Sequence, residues 1–573
     1  MNGAKIVVRM LREYGVDVLF GVPGDTSIPL YEALYEAKNR IRHVLARDER
    51  SASFMADAYA RLSHRPGICE CPSGAGPLYS VPGVAEANAS SIPVILFTSD
   101  IPLSGEGKST ITELDCQGLF KSITKWSCVI KDAKKIPESI RRGFRIATTG
   151  RPGAVHMALP QEIIKEEFKA EENLIYSEPE CRRYPAYRTR GSRNVLEKLT
   201  RHLIKAERPV IIAGGGANHS QAGPQVMELA EWLSAAVVTT ISGQGIMPDE
   251  HPLAMGVIGD NGFHPHAHQC VEEGDVLLYV GCKMGSVSTI NWSLPVYTPE
   301  RKILQIDLDP ELLSNNYRNT LSVAGDARLV LKDVLVLLKG KEKAKDISPW
   351  IQRLNKLRSQ FWKESQKDLQ SNSMPIKPET VIAALNRHLP SPSIVIADAG
   401  TPTPYITRYL KLGGKGSRFI IPRAYGGLGY AIPATVGAYF ARPDARLIGL
   451  FGDGSLGMAA GELETLARLE IPAVLIHFSN ACFGWIKALQ ALHSKGKFYS
   501  VDFTRGDPVL VAEGFGLKAL RIEDPKNLDG YLEEVFACDR PVFLDVIAES
   551  EASHLPPVFS WQKAAEKEWD QSA

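Results

Sequence analysis

Short apolar runs ending at glycine or a small polar residue recur along the whole chain, separated by longer amphipathic stretches of helical period. Run 16–20 leads into Gly21-Val22-Pro23-Gly24-Asp25, and run 209–213 into Gly214-Gly215-Gly216. Run 394–397 leads into Asp398-Ala399-Gly400-Thr401, and run 446–451 into Gly452-Asp453-Gly454. Continuous apolar runs of this length read as buried strands, and helices between them make such strands parallel neighbours. Further strands are expected at 276–280, 302–308 and 473–478, and helices at 4–14, 350–369 and 459–470. The pattern divides into three α/β blocks, at residues 1–175, 190–340 and 375–550, with a tail at 551–573. Polar stretches join them: 171–193, which holds Pro179 and Pro185, and the lysine-rich 339–345. No internal repeat is visible, though the first and third blocks are expected to share one fold. The tail either wraps back over a site or lies loose.

Composition narrows the partners. A chain of 573 residues with 44% hydrophobic and 23% charged residues has ample core for three or four domains. A net charge of +1 argues against nucleic acid or an anionic membrane as primary partner. No apolar run approaches the roughly 20 residues that span a bilayer. The nine cysteines are scattered and odd in number, which points to reduced thiols and a cytoplasmic location. Cys69 and Cys71 lie in an apolar strand without a matching His or Cys pair, and read as core.

The candidate chemistry concentrates in the third block. Asp453 ends one strand, and Asn480 ends the next about 25 residues later. This brings a carboxylate and an amide oxygen to one sheet edge beside a helix start. Hard cations such as Mg2+ take oxygen ligands of this kind and share them with phosphate oxygens. Gly452 and Gly454 let the backbone approach a diphosphate, and a helix N-terminus favours its charge.

A second segment gives the arrangement a family. Glu49-Arg50-Ser51-Ala52-Ser53-Phe54-Met55-Ala56-Asp57-Ala58-Tyr59-Ala60-Arg61 resembles the Glu-x-x-Ala-x-x-Met-Ala-Asp-Gly-Tyr-Ala-Arg helix of thiamine diphosphate enzymes, with Ala58 in place of Gly. The acetolactate synthase and pyruvate decarboxylase superfamily also carries GDG, a spacer of this length, and Asn-Asn, where this chain has Ser479-Asn480. Ser73-Gly74-Ala75-Gly76-Pro77 and Gly426-Gly427-Leu428-Gly429-Tyr430 are similar to other segments of that family, so the resemblance covers nearly the whole chain. It implies three doubly wound parallel-sheet domains: pyrimidine-binding, central and diphosphate-binding.

The resemblance also implies roles. Glu49 would contact the aminopyrimidine ring, where a carboxyl group in a low-dielectric site shares a proton with the ring nitrogen. Asp453, Asn480 and the Cys482 carbonyl would hold Mg2+. Thr401, Gly426, Gly452, Gly454 and Ser455 would lie along the cofactor, with Leu428 as the apolar wedge beneath its rings. The cofactor would sit between the first domain of one subunit and the third of another, which requires a homodimer and allows a homotetramer.

The substrate side is less uniform. Asp25 stands where simple 2-oxo acid decarboxylases have an acidic residue, and a cap for the following turn is the competing reading. The adjacent histidines of those decarboxylases are missing from 107–112. Gln117, within Leu114-Asp115-Cys116-Gln117, stands where acetolactate synthases and 2-hydroxyacyl-CoA lyases place a neutral amide that suits carboligation. Lys125 reads as a surface charge. Phe483 and Trp485 are candidate pocket walls, but their segment differs from the acceptor pocket of biosynthetic acetolactate synthases. Gly281-Cys282-Lys283-Met284-Gly285 replaces the segment that meets FAD in those enzymes, which argues against FAD. The expected enzyme is a carboligase acting on 2-oxo acids or related carbonyl substrates. The alternatives are a decarboxylase or acyl-CoA lyase and, behind them, a pyruvate oxidase-like flavoenzyme.

Overall fold

The computed structural model describes residues 1–168, 171–341, 348–412 and 416–572, with side chains to 566. The lysine-rich stretch therefore lies partly outside the described residues. In the first domain the strands are Val18–Gly21, Arg42–Leu45, Gly67–Cys71, Val94–Asp100, Trp126–Val129 and Val155–Pro160 (β1–β6). The middle domain holds Pro209–Ala213, Ala236–Thr239, Ala254–Val257, Val276–Val280, Lys302–Asp307 and Leu321–Ala324 (β7–β12). The third holds Ser393–Ala397, Arg418–Ile420, Arg446–Gly452, Ala473–Ser479, Lys518–Ile522 and Val542–Ile547 (β13–β18).

Each set forms one six-stranded sheet in which every pairing is parallel. The first runs β2-β1-β3-β4-β6-β5 and the third β14-β13-β15-β16-β18-β17, which is the same order. The two expected to share a fold do so. The middle sheet runs β12-β11-β10-β7-β8-β9, the doubly wound order of nucleotide-binding folds.

The first and third domains share one apolar cluster, which takes Phe20, Phe54 and Met55 from one and Tyr430, Ile432 and Phe451 from the other. At its centre, helix Glu49–Ser63 packs on helix Ala431–Ala441. Gly437 permits the approach, because a Cβ there would lie 2.0 Å from the Met55 carbonyl oxygen. Tyr430 donates its hydroxyl to Asp57 Oδ2 at 2.5 Å across the interface, and Arg61 donates to the same oxygen at 2.7 Å.

One expectation changes, and one question left open is decided. The helix expected at 459–470 is two helices, Asp453–Ala459 and Glu462–Arg468. They part at Ala460-Gly461, where Gly461 faces Arg47 and Glu462 accepts from the Arg47 backbone N–H at 2.9 Å. The contact with the first domain fixes that break. The tail wraps back. Phe559 N–H donates to the Asp260 carbonyl at 2.8 Å, Gly262 N–H to that of Pro557 at 2.8 Å, and Trp561 packs on Trp485 with ring centroids 4.4 Å apart.

Candidate active site

The third domain builds a cradle from neighbouring strand ends. β15 stops at Gly452, and a helix starts at once on Asp453. β16 stops at Ser479, and Ala481 turns the chain with φ +55°. Asp453 Oδ2 accepts from the backbone N–H groups of Asn480 at 2.9 Å and Ala481 at 3.1 Å, so one carboxylate locks both turns together. Its other oxygen lies 3.7 Å from Nε2 of His477, a buried residue bound through Nδ1 to Asp545 at 2.9 Å.

A cavity of about 360 Å3 opens beside these turns. Thr401, Gly426 and Leu428 line one side, and Gly452, Asp453, Gly454, Ser455, Asn480 and Cys482 the other, with Phe483 and Trp485 at the wall. Every third-domain residue expected at the cofactor thus borders one space. Gly454 must be glycine: a Cβ there would sit 2.5 Å from the Phe483 ring. Asp398 is different. It is fully buried and accepts from the N–H groups of Tyr430 at 2.8 Å and Ala431 at 3.1 Å, capping helix Ala431–Ala441, and burial pushes its pKa up to about 6. Its neighbour Thr401 is the residue that reaches the cavity.

These donors fit a hard cation with a diphosphate. Asp453 and Asn480 offer oxygen, and the glycine-rich walls leave room for phosphate. Among the described residues no three His, Cys, Asp or Glu side chains converge as a metal site, so a cation here would depend on amide and carbonyl oxygens.

The first domain holds a separate cluster. Glu49 opens its helix behind Asp48, which caps it by accepting from Arg50 N–H at 2.6 Å. Glu49 is half-buried, and burial raises its pKa above the usual carboxylate value. Its Oε1 lies 3.3 Å from the Cβ position at Gly76, beside the Ser73 loop, whose backbone is held by Thr26 Oγ1 at 3.0 Å. Asp25 is exposed in the adjoining turn, and its cap reading fails: Ser27 Oγ accepts from Gly24 N–H at 2.9 Å instead. Gln117 is exposed on helix Cys116–Lys121 and donates to the Ser127 carbonyl at 3.2 Å. Lys125 is exposed, as a surface charge would be, but its ammonium is turned onto backbone carbonyls. It donates to the carbonyls of Ile146, Thr149 and Arg151, closing a helix end, and burial lowers its pKa to about 8. Glu49, Asp25 and Gln117 do not line the third-domain cavity of their own chain.

Sequence reasoning missed Glu551, which reaches the cavity from the tail with 1% exposure, and Asn261, which lines it from the middle domain. Burial raises the pKa of Glu551. A second cavity, of about 330 Å3, lies at the strand ends of the middle sheet where its order reverses, between the Gly214 and Gly281 turns. Here the glycines serve backbone packing, since a Cβ on Gly214 would lie 2.3 Å from the Gly281 carbonyl oxygen. Lys283, Arg151 and Asp307 line the same space, and burial draws the Lys283 pKa down to about 8.

The family comparisons cover all three domains. Residues 1–119 match the thiamine pyrophosphate enzyme N-terminal TPP binding domain, 196–334 the central domain and 398–546 the C-terminal TPP binding domain. The chain belongs to the thiamine pyrophosphate (thiamine diphosphate) enzymes. Among its relatives, a probable acetolactate synthase large subunit of Methanocaldococcus jannaschii is 35% identical over 97% of this chain and 93% of its own length. A second, from Methanococcus aeolicus, is 34% identical over 97% and 94%. The acetolactate synthase isozyme 3 large subunit of Escherichia coli is 30% identical over 97% and 96%. The protein is a thiamine diphosphate-dependent enzyme of carbon–carbon bond formation, as the sequence resemblance implied.

Proposed function

We propose that the protein is an acetolactate synthase-like carboligase that decarboxylates a 2-oxo acid and joins the remaining acyl carbon to a second carbonyl compound. The observation that carries this reading is the single cavity bordered by Asp453, Asn480, Thr401 and Leu428, in a chain similar over its whole length to acetolactate synthase large subunits. When bound, thiamine diphosphate would supply a carbon nucleophile for the 2-oxo acid and an electron sink for its decarboxylation. The chain's own residues set up that chemistry. Asp453 and Asn480 present oxygens to Mg2+, Gly454 leaves space for the diphosphate, and Leu428 props the cofactor from below. Glu49, its pKa raised by burial, shares a proton with the aminopyrimidine nitrogen. Gln117 would offer a neutral amide donor on the substrate side, and Asp25 would stand at the substrate entrance. Phe483 and Trp485 exclude water and shape the acceptor pocket.

Glu49 and the diphosphate cradle border different spaces in one chain, so the working site takes Glu49 from a second copy. A homodimer is the minimal enzyme, and a homotetramer is compatible with it. The nine cysteines, all unpaired, fit a reducing cytoplasm.

The experiment is incubation of the purified protein with thiamine diphosphate, Mg2+ and 13C-labelled pyruvate, with and without added aldehydes, followed by NMR. Labelled acetolactate, acetoin or a mixed acyloin supports carboligation. Acetaldehyde with CO2 moves the assignment to a decarboxylase, and untouched pyruvate removes pyruvate as donor.

A second reading concerns the middle domain. Its strand order, the position of its cavity at the order reversal, and Lys283 and Arg151 beside it favour a nucleotide carrying phosphate. The replaced segment at 281–285 argues against a flavin there. The absorbance spectrum of the purified protein separates a flavin from a colourless nucleotide.

A further inference from the structure

The tail residue Glu551 is buried where no structural demand of the sheet places a carboxylate. Its Oε2 accepts from Asn480 Nδ2 at 2.8 Å, and it is also hydrogen-bonded to the Thr401 side chain. Its Oε1 is buried without any hydrogen-bond partner in the structure. The carboxyl group packs directly on Gly484, the first residue of helix Gly484–His493, where a Cβ would lie 2.0 Å from Oε2 and 2.3 Å from Cδ. One side chain therefore touches the loop after β13, the loop after β16 and the start of the helix that carries Trp485.

Its effect on Asn480 follows from the shape of an amide. Nδ2 and Oδ1 point away from each other, so an acceptor that claims Nδ2 fixes where Oδ1 faces. Among the described residues, the only other hydrogen bond to the amide is a thiol donor, Cys482 Sγ to Oδ1 at 3.1 Å, which is weak and leaves Oδ1 with spare acceptor capacity. Without Glu551 the amide is free to turn its nitrogen toward the cation, which a cation rejects. The tail that carries Glu551 is held at other points. His554 Nε2 lies 2.7 Å from Glu379 Oε1, and Ser560 bonds to the Asp260 carboxylate at 2.8 and 2.9 Å.

We propose that Glu551 is a positioning residue of the metal site, which turns the Asn480 carbonyl oxygen toward the cation and so couples Mg2+ binding to seating of the C-terminal tail. This rests on the Mg2+–diphosphate reading of the third-domain cavity. The coupling is reciprocal by linkage: a bound cation holds Asn480, Asn480 holds Glu551, and Glu551 holds the tail.

The test is Mg2+-dependent binding of thiamine diphosphate to the full-length protein, followed by the fluorescence of its tryptophans, Trp485 among them. Wild type, Glu551→Gln, Glu551→Ala and Asp453→Ala are compared. Loss of an outer partner of a metal ligand costs about 10- to 100-fold in metal affinity. The Mg2+ concentration for half-maximal binding is expected to rise about tenfold or more in Glu551→Ala. It should rise less in Glu551→Gln, which keeps an oxygen acceptor for Asn480 Nδ2. Hydrogen exchange supplies the second readout. Mg2+ with cofactor should slow exchange over residues 549–560 in wild type and lose that effect in Glu551→Ala. If Glu551→Ala does not fold, Glu551→Gln carries the comparison alone. An unchanged Mg2+ midpoint in the folded variants, with wild type still Mg2+-dependent, overturns the role of Glu551. Binding that is Mg2+-independent in wild type and unaffected in Asp453→Ala overturns the metal reading and this inference together.

Discussion

The first and third domains have the same sheet, strand for strand, and opposite electrostatic designs at its carboxyl edge. In the third, Asp453 is fixed by two backbone N–H groups and stands beside an amide, glycine-rich turns and an open cavity, a set of oxygen donors of the kind a hard cation takes. In the first, Glu49 is half-buried, and among the described residues it has no ion-pair partner; burial, with help from Asp48 and Glu70, raises its pKa. One topology thus supplies an edge of oxygen donors around an open cavity and an edge with a desolvated carboxyl group. The difference lies in what surrounds each carboxylate, which teaches that the fold provides the position and the local donors provide the chemistry.

That contrast can be broken from either side. The largest effect is expected from Glu49→Gln, which removes the proton-holding group without changing shape. Turnover should fall by about 10²- to 10⁴-fold, with cofactor binding nearly unchanged in a fluorescence titration. Asp453→Ala should do the reverse and abolish Mg2+-dependent cofactor binding; chelation of Mg2+ from wild type should reproduce it. A pair of glycine substitutions sharpens the comparison. Gly454→Ala drives a Cβ to 2.5 Å from the Phe483 ring and should weaken cofactor binding about tenfold, a cost of about 1.4 kcal/mol. Gly76→Ala meets its nearest atom, the Cys71 Cβ, at 3.0 Å and should cost clearly less.

The smallest effect is a pH dependence. The folded-state pKa of Glu49 is raised above its ordinary value of 4.5. Its contribution to stability is therefore complete below that value and is lost as pH rises through the folded pKa. Glu49→Gln should raise the melting temperature at pH 7, by something on the order of 1 °C, and leave it unchanged near pH 4. Thermal scans at both pH values check the sign.

The sequence made the third-domain edge readable because Gly452, Asp453, Gly454 and Asn480 fall within one strand–helix–strand unit, so spacing alone implies convergence. Glu49 was readable only through a longer pattern of neighbours, because a helix-start glutamate has no spacing signal of its own. Glu551 gave none at all. It arrives from beyond the last strand, in a polar stretch without period, and only the return path of the tail brings it to Asn480. The backbone partners of Lys125 and Asp398 stayed hidden for a related reason: residue identity does not reveal them. The shared order of the first and third sheets left no visible repeat, because strand order depends on connection and burial rather than on particular residues.

The central claim is that the two edges work together across two copies of the chain. The direct measurement mixes Glu49→Gln with Asp453→Ala, dissociates and reassociates them in equal amounts, and assays carboligation. If Glu49 of one copy serves the cradle of the other, half of the dimers are mixed, and each has one intact site. Activity should then return to about a quarter of wild type from two inactive preparations. If both edges serve one site within a single chain, every site in every dimer carries a defect, and no activity will return.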